Sequence, residues 1–190
     1  SRGLGGLSGM VMGSVSAAVV SHAHCPVVVV RGDNPVTEDT KYGPVVVGVD
    51  GSGVSQKAIE YAFAEASARE CELIAVHTWM DMQIQASLAG LSAAQQQWKI
   101  VEEEQNMLLG HRLAGYAERY PDVQVTRVVT RDRPVRALVD AAKGAQLLVV
   151  GSHGRGGFKG MLLGSTSRAL LQSAPCPMMV VRPDSDAKAH

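Results

Sequence analysis

A glycine-rich loop, Gly151–Ser165, has the composition of an anion-binding segment. Glycines let main-chain N–H groups approach an anion without obstruction by a Cβ atom. The loop precedes a helical pattern, and a helix N-terminus adds unpaired N–H donors and a partial positive charge. Arg155 and Lys159 supply cations, and Ser165 supplies a hydroxyl. The loop is therefore predicted to bind phosphate; the alternative is a flexible connection whose glycines only permit turns.

Other chemistry has weaker support in the sequence. The loop fits neither the G-x-x-x-x-G-K-[ST] nor the G-x-G-x-x-G pattern. Ser152 and His153 are adjacent, a spacing that rarely gives triad geometry, and no G-x-S-x-G elbow is present. His22 and His24 lack cysteine or carboxylate neighbours at zinc-binding spacing. We therefore predict no hydrolase nucleophile and no zinc site.

The elements that must position the loop alternate between strands and helices. Helical spacing of apolar residues separates the strands, which predicts an open five-stranded, mainly parallel α/β sheet with helices on both faces. Pro134 fits the first turn of one helix, and Ser165 is predicted to cap the last. The predicted strands are Val45–Val49, Leu73–Thr78, Val123–Thr130, Leu147–Val150 and Met178–Val181.

Ligands of such sheets bind beyond the carboxyl ends of the strands, where the strand order reverses. That rule selects the loop Asp50–Gly53 after the first strand and the loop Gly151–Ser165 after the fourth. The two loops are expected to form one site.

Composition excludes several classes of protein. Eighteen Lys and Arg residues balance 18 Asp and Glu residues without a basic run, which argues against nucleic acid as a partner. No apolar run exceeds five residues, far below the roughly 20 that span a bilayer, so we expect no membrane partner. Cys25, Cys71 and Cys176 lack C-x-x-C spacing and follow no signal segment, which favours a cytoplasmic location.

The chain contains an internal repeat. Ser1–Arg31 aligns with Ser152–Arg182 at an offset of 151, and 16 of 31 positions are identical. A period of this length is a domain rather than a solenoid unit. We expect residues 1–31 to be the C-terminal remnant of a first domain, 32–43 a linker, 44–183 a complete second domain and 184–190 a tail.

Three segments resemble the universal stress protein family. The spacing G-x2-G-x9-G-[ST] is filled by Gly151, Gly154, Gly164 and Ser165, and VVVGVD at 45–50 and PCPMMVVRP at 175–183 are similar to that family's first and last strands. The resemblance extends to the tandem-domain members of actinobacteria. It implies a Rossmann-like fold, dimerisation through the last strand and, with this glycine spacing, ATP binding linked to stress survival.

The resemblance also implies which residues bind the nucleotide. The adenine and ribose are expected to lie near Asp50 and the phosphates near Ser165. The residues concerned are Gly48, Val49, Asp50, Thr78, Val150, Gly151, Gly154, Arg155, Gly164, Ser165 and Thr166.

Asp50 needs a physical explanation of its own in such a site. Because a carboxylate repels phosphate, we expect it to accept hydrogen bonds from a ribose hydroxyl or the adenine amino group, or to reach Mg²⁺. Its alternative role is to cap the first helix of the domain.

The resemblance predicts a regulatory ATP sensor or switch with little or no hydrolysis, since no Walker-type lysine or general base is identifiable. Two alternatives stay open: an ATPase or adenylate-transferring enzyme of the adenine nucleotide hydrolase type, and a nucleotide-free dimerising scaffold.

The remnant of the first domain needs a partner, since a lone helix and strand cannot bury their apolar faces. Because the last strands of the resembling family meet antiparallel about a two-fold axis, the resemblance implies that Val27–Val30 pairs with Met178–Val181 in this way, within one chain or between the chains of a homodimer.

Overall fold

The computed structural model describes residues 13–31, 38–79, 91–155 and 162–183. Its helices are α1 Ser14–His22, α2 Glu38–Lys41, α3 Gly53–Ala68, α4 Leu91–Arg119, α5 Pro134–Ala141 and α6 Ser165–Ser173. Its strands are β1 Val27–Val29, β2 Val45–Gly48, β3 Leu73–Thr78, β4 Val125–Thr130, β5 Leu147–Gly151 and β6 Met178–Val181.

The strands form one sheet in the order β1-β6-β5-β2-β3-β4. All neighbours from β6 to β4 are parallel, which confirms the predicted five-stranded parallel sheet. The strand order reverses at β2, because β3 lies on one side of this strand and β5 lies on the other. In the predicted linker 32–43, the structure describes the short helix α2, which the Pro and Gly signals of that segment did not predict.

Both faces of the sheet are covered, because successive side chains of a strand point to opposite faces. Val45 and Val47 pack with α3 and α4, in a core that includes Phe63. Val46 packs with α1, α5 and α6, in a core that includes Leu138. This two-sided burial explains why β2 and β5 are continuous apolar runs.

The strand β1, which adds a sixth strand to the sheet, confirms the predicted pairing within one chain. β1 runs antiparallel to β6, with Val28 opposite Met179. These two residues are also equivalent in the internal repeat, since 28 plus 151 is 179. The register therefore gives the two copies a local two-fold relationship. Exchange of β1 between two chains stays a prediction.

Reciprocal hydrogen bonds follow the same two-fold relationship. Arg182 donates to the carbonyl of Ser21 in the last turn of α1, and Arg31 donates to the carbonyl of Gln172 in the last turn of α6. Both arginines are equivalent in the repeat, and so are both acceptors. A cation at a helix C-terminus also interacts favourably with the helix dipole. Each copy of the repeat therefore caps the helix of the other copy.

Candidate functional site

A cavity of about 450 Å³ opens at the carboxyl ends of the parallel strands. The loops that follow β2 and β5 both contribute to its wall, as the strand-end rule predicts. All eleven binding residues predicted from the sequence line this one cavity. They are Gly48, Val49, Asp50, Thr78, Val150, Gly151, Gly154, Arg155, Gly164, Ser165 and Thr166. Lys159, the other predicted cation, lies outside the described residues.

Helix α6 presents its N-terminus to the cavity. The prediction that Ser165 caps this helix is wrong: Gly164 is the N-cap, and no side chain bonds to the first turn. The main-chain N–H groups of Ser165, Thr166 and Ser167 have no acceptor among the described residues. These three donors and the positive end of the helix dipole give the surface the chemistry that an anion requires.

The start of α6 is fixed to the sheet by hydrogen bonds. The Gly164 N–H donates to the Ser152 carbonyl at 2.7 Å, and the Ser152 N–H donates to the Val181 carbonyl at 2.7 Å. The Ser167 hydroxyl donates to the carbonyl of Gly151 at 2.7 Å. A Cβ atom at Gly164 would lie 3.2 Å from Cα of His153, so this glycine permits a close approach of two backbone segments. The N-terminus of α6 is therefore held at the end of β5.

Asp50 joins the two loops. Its Oδ1 accepts the N–H of Ser52 at 2.9 Å, and its Oδ2 accepts the N–H of Arg155 at 3.1 Å. Ser52, and not Asp50, caps α3, since its hydroxyl accepts the N–H of Ser55 at 3.2 Å. Gly154 allows this contact, because a methyl group there would overlap with the Asp50 carboxylate.

The carboxylate form of Asp50 is favoured by these bonds. Burial alone raises its pKa, but hydrogen bonds from the main chain and hydroxyl of Ser52, from Ser55 and from the N–H of Arg155 outweigh burial and hold the pKa below its ordinary value. Asp50 is therefore an ionised acceptor at neutral pH.

Asp50 does not fit a metal site formed by the protein alone. Each of its oxygens accepts one main-chain N–H and keeps a second lone pair, but Mg²⁺ needs several oxygen ligands in octahedral geometry. The described residues contain no group of three His, Cys, Asp or Glu side chains that could hold a metal ion. Binding of Mg²⁺ by Asp50, with further oxygen ligands from a nucleotide, therefore stays a prediction.

The rest of the cavity wall is largely apolar and includes residues that the sequence analysis missed. Helix α5 crosses below Gly48, whose missing side chain leaves room for Leu138 at 3.2 Å from a hypothetical Cβ. Pro134 was predicted in the first turn of this helix, and the structure confirms it. Because α5 follows the carboxyl end of β4, the strand-end rule could have added α5 to the predicted site. The missed lining residues are Ser55, Val76, Pro134, Leu138, His153 and Ser167.

Ser152 and His153 come closer than their sequence spacing predicts. The Ser152 Oγ and His153 Nδ1 atoms are 3.1 Å apart, within hydrogen-bond distance. Ser152 is nevertheless completely buried and does not line the cavity, so its hydroxyl cannot reach a ligand there. The pair supports the loop and is not a nucleophile with its base.

The fold and the site define a class: an open parallel α/β protein in which a helix N-terminus faces a cavity at the point where the strand order reverses. The profile of the Universal stress protein family matches residues 1–31 and 41–182. The chain belongs to the universal stress protein family.

The relatives of the chain include "Universal stress protein Rv2005c" of Mycobacterium tuberculosis, which is 50% identical over 182 residues. The match covers 96% of this chain and 60% of that relative, so the chain spans about three fifths of the relative's length. A universal stress protein from Archaeoglobus fulgidus DSM 4304 has the same fold, with a TM-score of 0.62 and 24% identity over 96% of this chain and 60% of that one.

Two further solved structures contain adenine nucleotides. A universal stress protein in complex with cAMP has 26% identity and a TM-score of 0.52, covering 74% of this chain and 97% of that one. The universal stress protein from Archaeoglobus fulgidus in complex with dAMP has 20% identity and a TM-score of 0.51, with 74% and 98% coverage. Within the described part of this chain, no helix has the length and apolar character to cross a membrane.

Proposed function

We propose that the chain binds ATP in this cavity and acts as a nucleotide-dependent regulatory switch in a stress response. The observation that carries the proposal is that one cavity combines an apolar wall with three main-chain N–H groups of α6 that find no acceptor in the described part of the chain. A nucleotide combines an apolar base, which suits the apolar wall, with anionic phosphates, which suit the N–H donors. The cavity volume of about 450 Å³ lies within the range of small-molecule sites.

The division of the cavity gives each part of the nucleotide its own contacts. We assign the base and ribose to the side formed by Val49, Asp50 and Thr78, where the carboxylate accepts a hydroxyl or amino hydrogen. We assign the phosphates to Gly154 and the first turn of α6, where N–H donors replace water. The related protein in complex with cAMP supports an adenine nucleotide as the ligand class.

The same geometry favours binding with little or no hydrolysis. Efficient turnover needs a group positioned to activate water. Among the described residues of the cavity wall, the acid–base candidates are Asp50 and His153. The lowered pKa of Asp50 makes this carboxylate a weak base, and His153 Nδ1 bonds to Ser152. The proposal therefore assigns recognition to this site and requires no protein-held metal ion.

The variant Ser165→Asp tests the phosphate assignment. Ser165 is the first residue of α6, and a carboxylate there would occupy the donors and repel phosphate. We expect ATP affinity to fall at least tenfold, or about 1.4 kcal/mol, in titration calorimetry. Folding should not suffer, because an acidic residue in the first turn stabilises a helix by about 0.3–1 kcal/mol. Phosphate release by the wild-type chain should stay near background in the same samples.

The internal repeat supplies a matched control. Ser14 is the equivalent first residue of α1, also after a glycine N-cap, and it lies outside the cavity wall. Ser14→Asp should keep the wild-type affinity for ATP. Equal ATP affinity of Ser165→Asp and wild type would contradict the assignment, and rapid phosphate release would contradict a switch without turnover.

A further inference from the structure

A second cation lies close to the candidate site, on a different element from the predicted loops. Arg112 extends from α4 so that its guanidinium covers Gly51, the residue after Asp50. A methyl group at Gly51 would overlap with this guanidinium, and Gly51 has a positive φ of 82°. Glycine at position 51 thus lets both the turn and the arginine occupy this place.

Arg112 and Arg155 line the same small cavity, together with His77, Gln105, Leu108 and Leu109. Among the described residues, neither guanidinium has a carboxylate within ion-pair distance, whereas Arg119 on the same helix lies 3.7 Å from Glu60. Two cations facing one space repel each other. An anion between them would remove that repulsion.

Arg155 connects this small cavity with the larger one, since it lines both. Among the described residues, the nearby carboxylate of Asp50 accepts the main-chain N–H groups of Ser52 and Arg155 and forms no ion pair with either arginine. A phosphate chain that begins at the N-terminus of α6 and passes Gly154 would extend toward the two arginines. Guanidinium groups suit this role, because their planar donors bind phosphate oxygens in pairs.

We propose that Arg112, together with Arg155, binds the terminal phosphoryl group of the nucleotide and makes the chain select a nucleoside triphosphate over a monophosphate. This inference rests on the proposed nucleotide site. The first turn of α6 holds the inner phosphates of either ligand, and only a triphosphate is long enough to reach Arg112.

The test compares ATP and AMP by calorimetry on the full chain. The wild type should bind ATP at least tenfold more tightly than AMP. Arg112→Gln should lower ATP affinity about tenfold, since a hydrogen bond to a charged group is lost, and change AMP affinity less than twofold. Arg112→Lys should keep part of the preference. Arg119→Gln, on the same helix, should behave as wild type.

Three results would overturn the inference: equal wild-type affinities for ATP and AMP, unchanged ATP affinity of Arg112→Gln, or equal losses for both ligands in that variant. The wild-type ratio needs no variant, so equal affinities would overturn the inference even if Arg112→Gln folds poorly. A wild type that binds AMP and ATP equally would leave the proposed function standing. A wild type that binds neither would end both.

Discussion

At the residue scale, Asp50 has a structural task that its sequence position does not reveal. Its two oxygens connect the turn after β2 with the loop after β5 through the N–H groups of Ser52 and Arg155. Gly154 is required for the second bond, since any side chain there would displace the carboxylate. The Asp50 carboxylate therefore fixes the relative position of the two loops that form the cavity.

The lowered pKa of Asp50 predicts how stability depends on pH. A carboxyl group with a depressed pKa in the folded state stabilises the protein fully above its unfolded pKa of about 3.9 and loses that contribution as the pH falls through the folded value. The stability difference between wild type and Asp50→Asn should thus be largest near pH 7 and shrink below about pH 4. Urea unfolding at a series of pH values measures it. A difference that grows on acidification would contradict this account.

At the scale of elements, α1 and β1 are held less firmly than their equivalents α6 and β6. β6 has a strand on each side, but β1 pairs with β6 alone among the described strands. The consequence appears in exposure: Val28 is 48% exposed, whereas its equivalent Met179 is 5% exposed. The stability of β1 therefore depends strongly on its few contacts with the second copy of the repeat, chiefly with β6.

This dependence can be tested by hydrogen exchange. The β1 amides that face β6 should exchange more slowly than those of a free peptide. Arg182→Ala removes the bond to the Ser21 carbonyl and should accelerate exchange in Val27–Val29. Arg136→Ala, whose side chain is exposed and pairs with Asp132, should leave exchange in β1 unchanged. Unprotected β1 amides in the wild type would contradict the pairing.

At the scale of the whole molecule, the sequence predicts most of the fold. Continuous apolar runs such as Leu147–Val150 identify strands buried on both faces, and the repeat together with the family resemblance predicts the pairing of β1 with β6. The strand-end rule selects the two loops of the site, and the resemblance to the universal stress protein family adds the individual residues. The strands and the two loops therefore follow from local pattern and from a general property of parallel sheets.

Contacts between distant elements could not be predicted in this way. Leu138 reaches the cavity because α5 crosses below Gly48, and Arg112 covers Gly51 because of the position of α4 on the sheet. Neither position is encoded by local spacing. Ser165 was misassigned as a cap because Gly and Ser are both good N-cap residues, and only the backbone geometry decides between them.

The central claim is that the free N–H groups at the start of α6 bind the phosphates of a nucleotide. Following the amide resonances of Ser165, Thr166 and Ser167 by NMR during an ATP titration tests it most directly. We predict large, saturable shifts of these three amides, and of the Arg155 amide, at one ATP per chain. Saturable ATP shifts confined to other parts of the chain, or no shifts at millimolar ATP, would contradict the account.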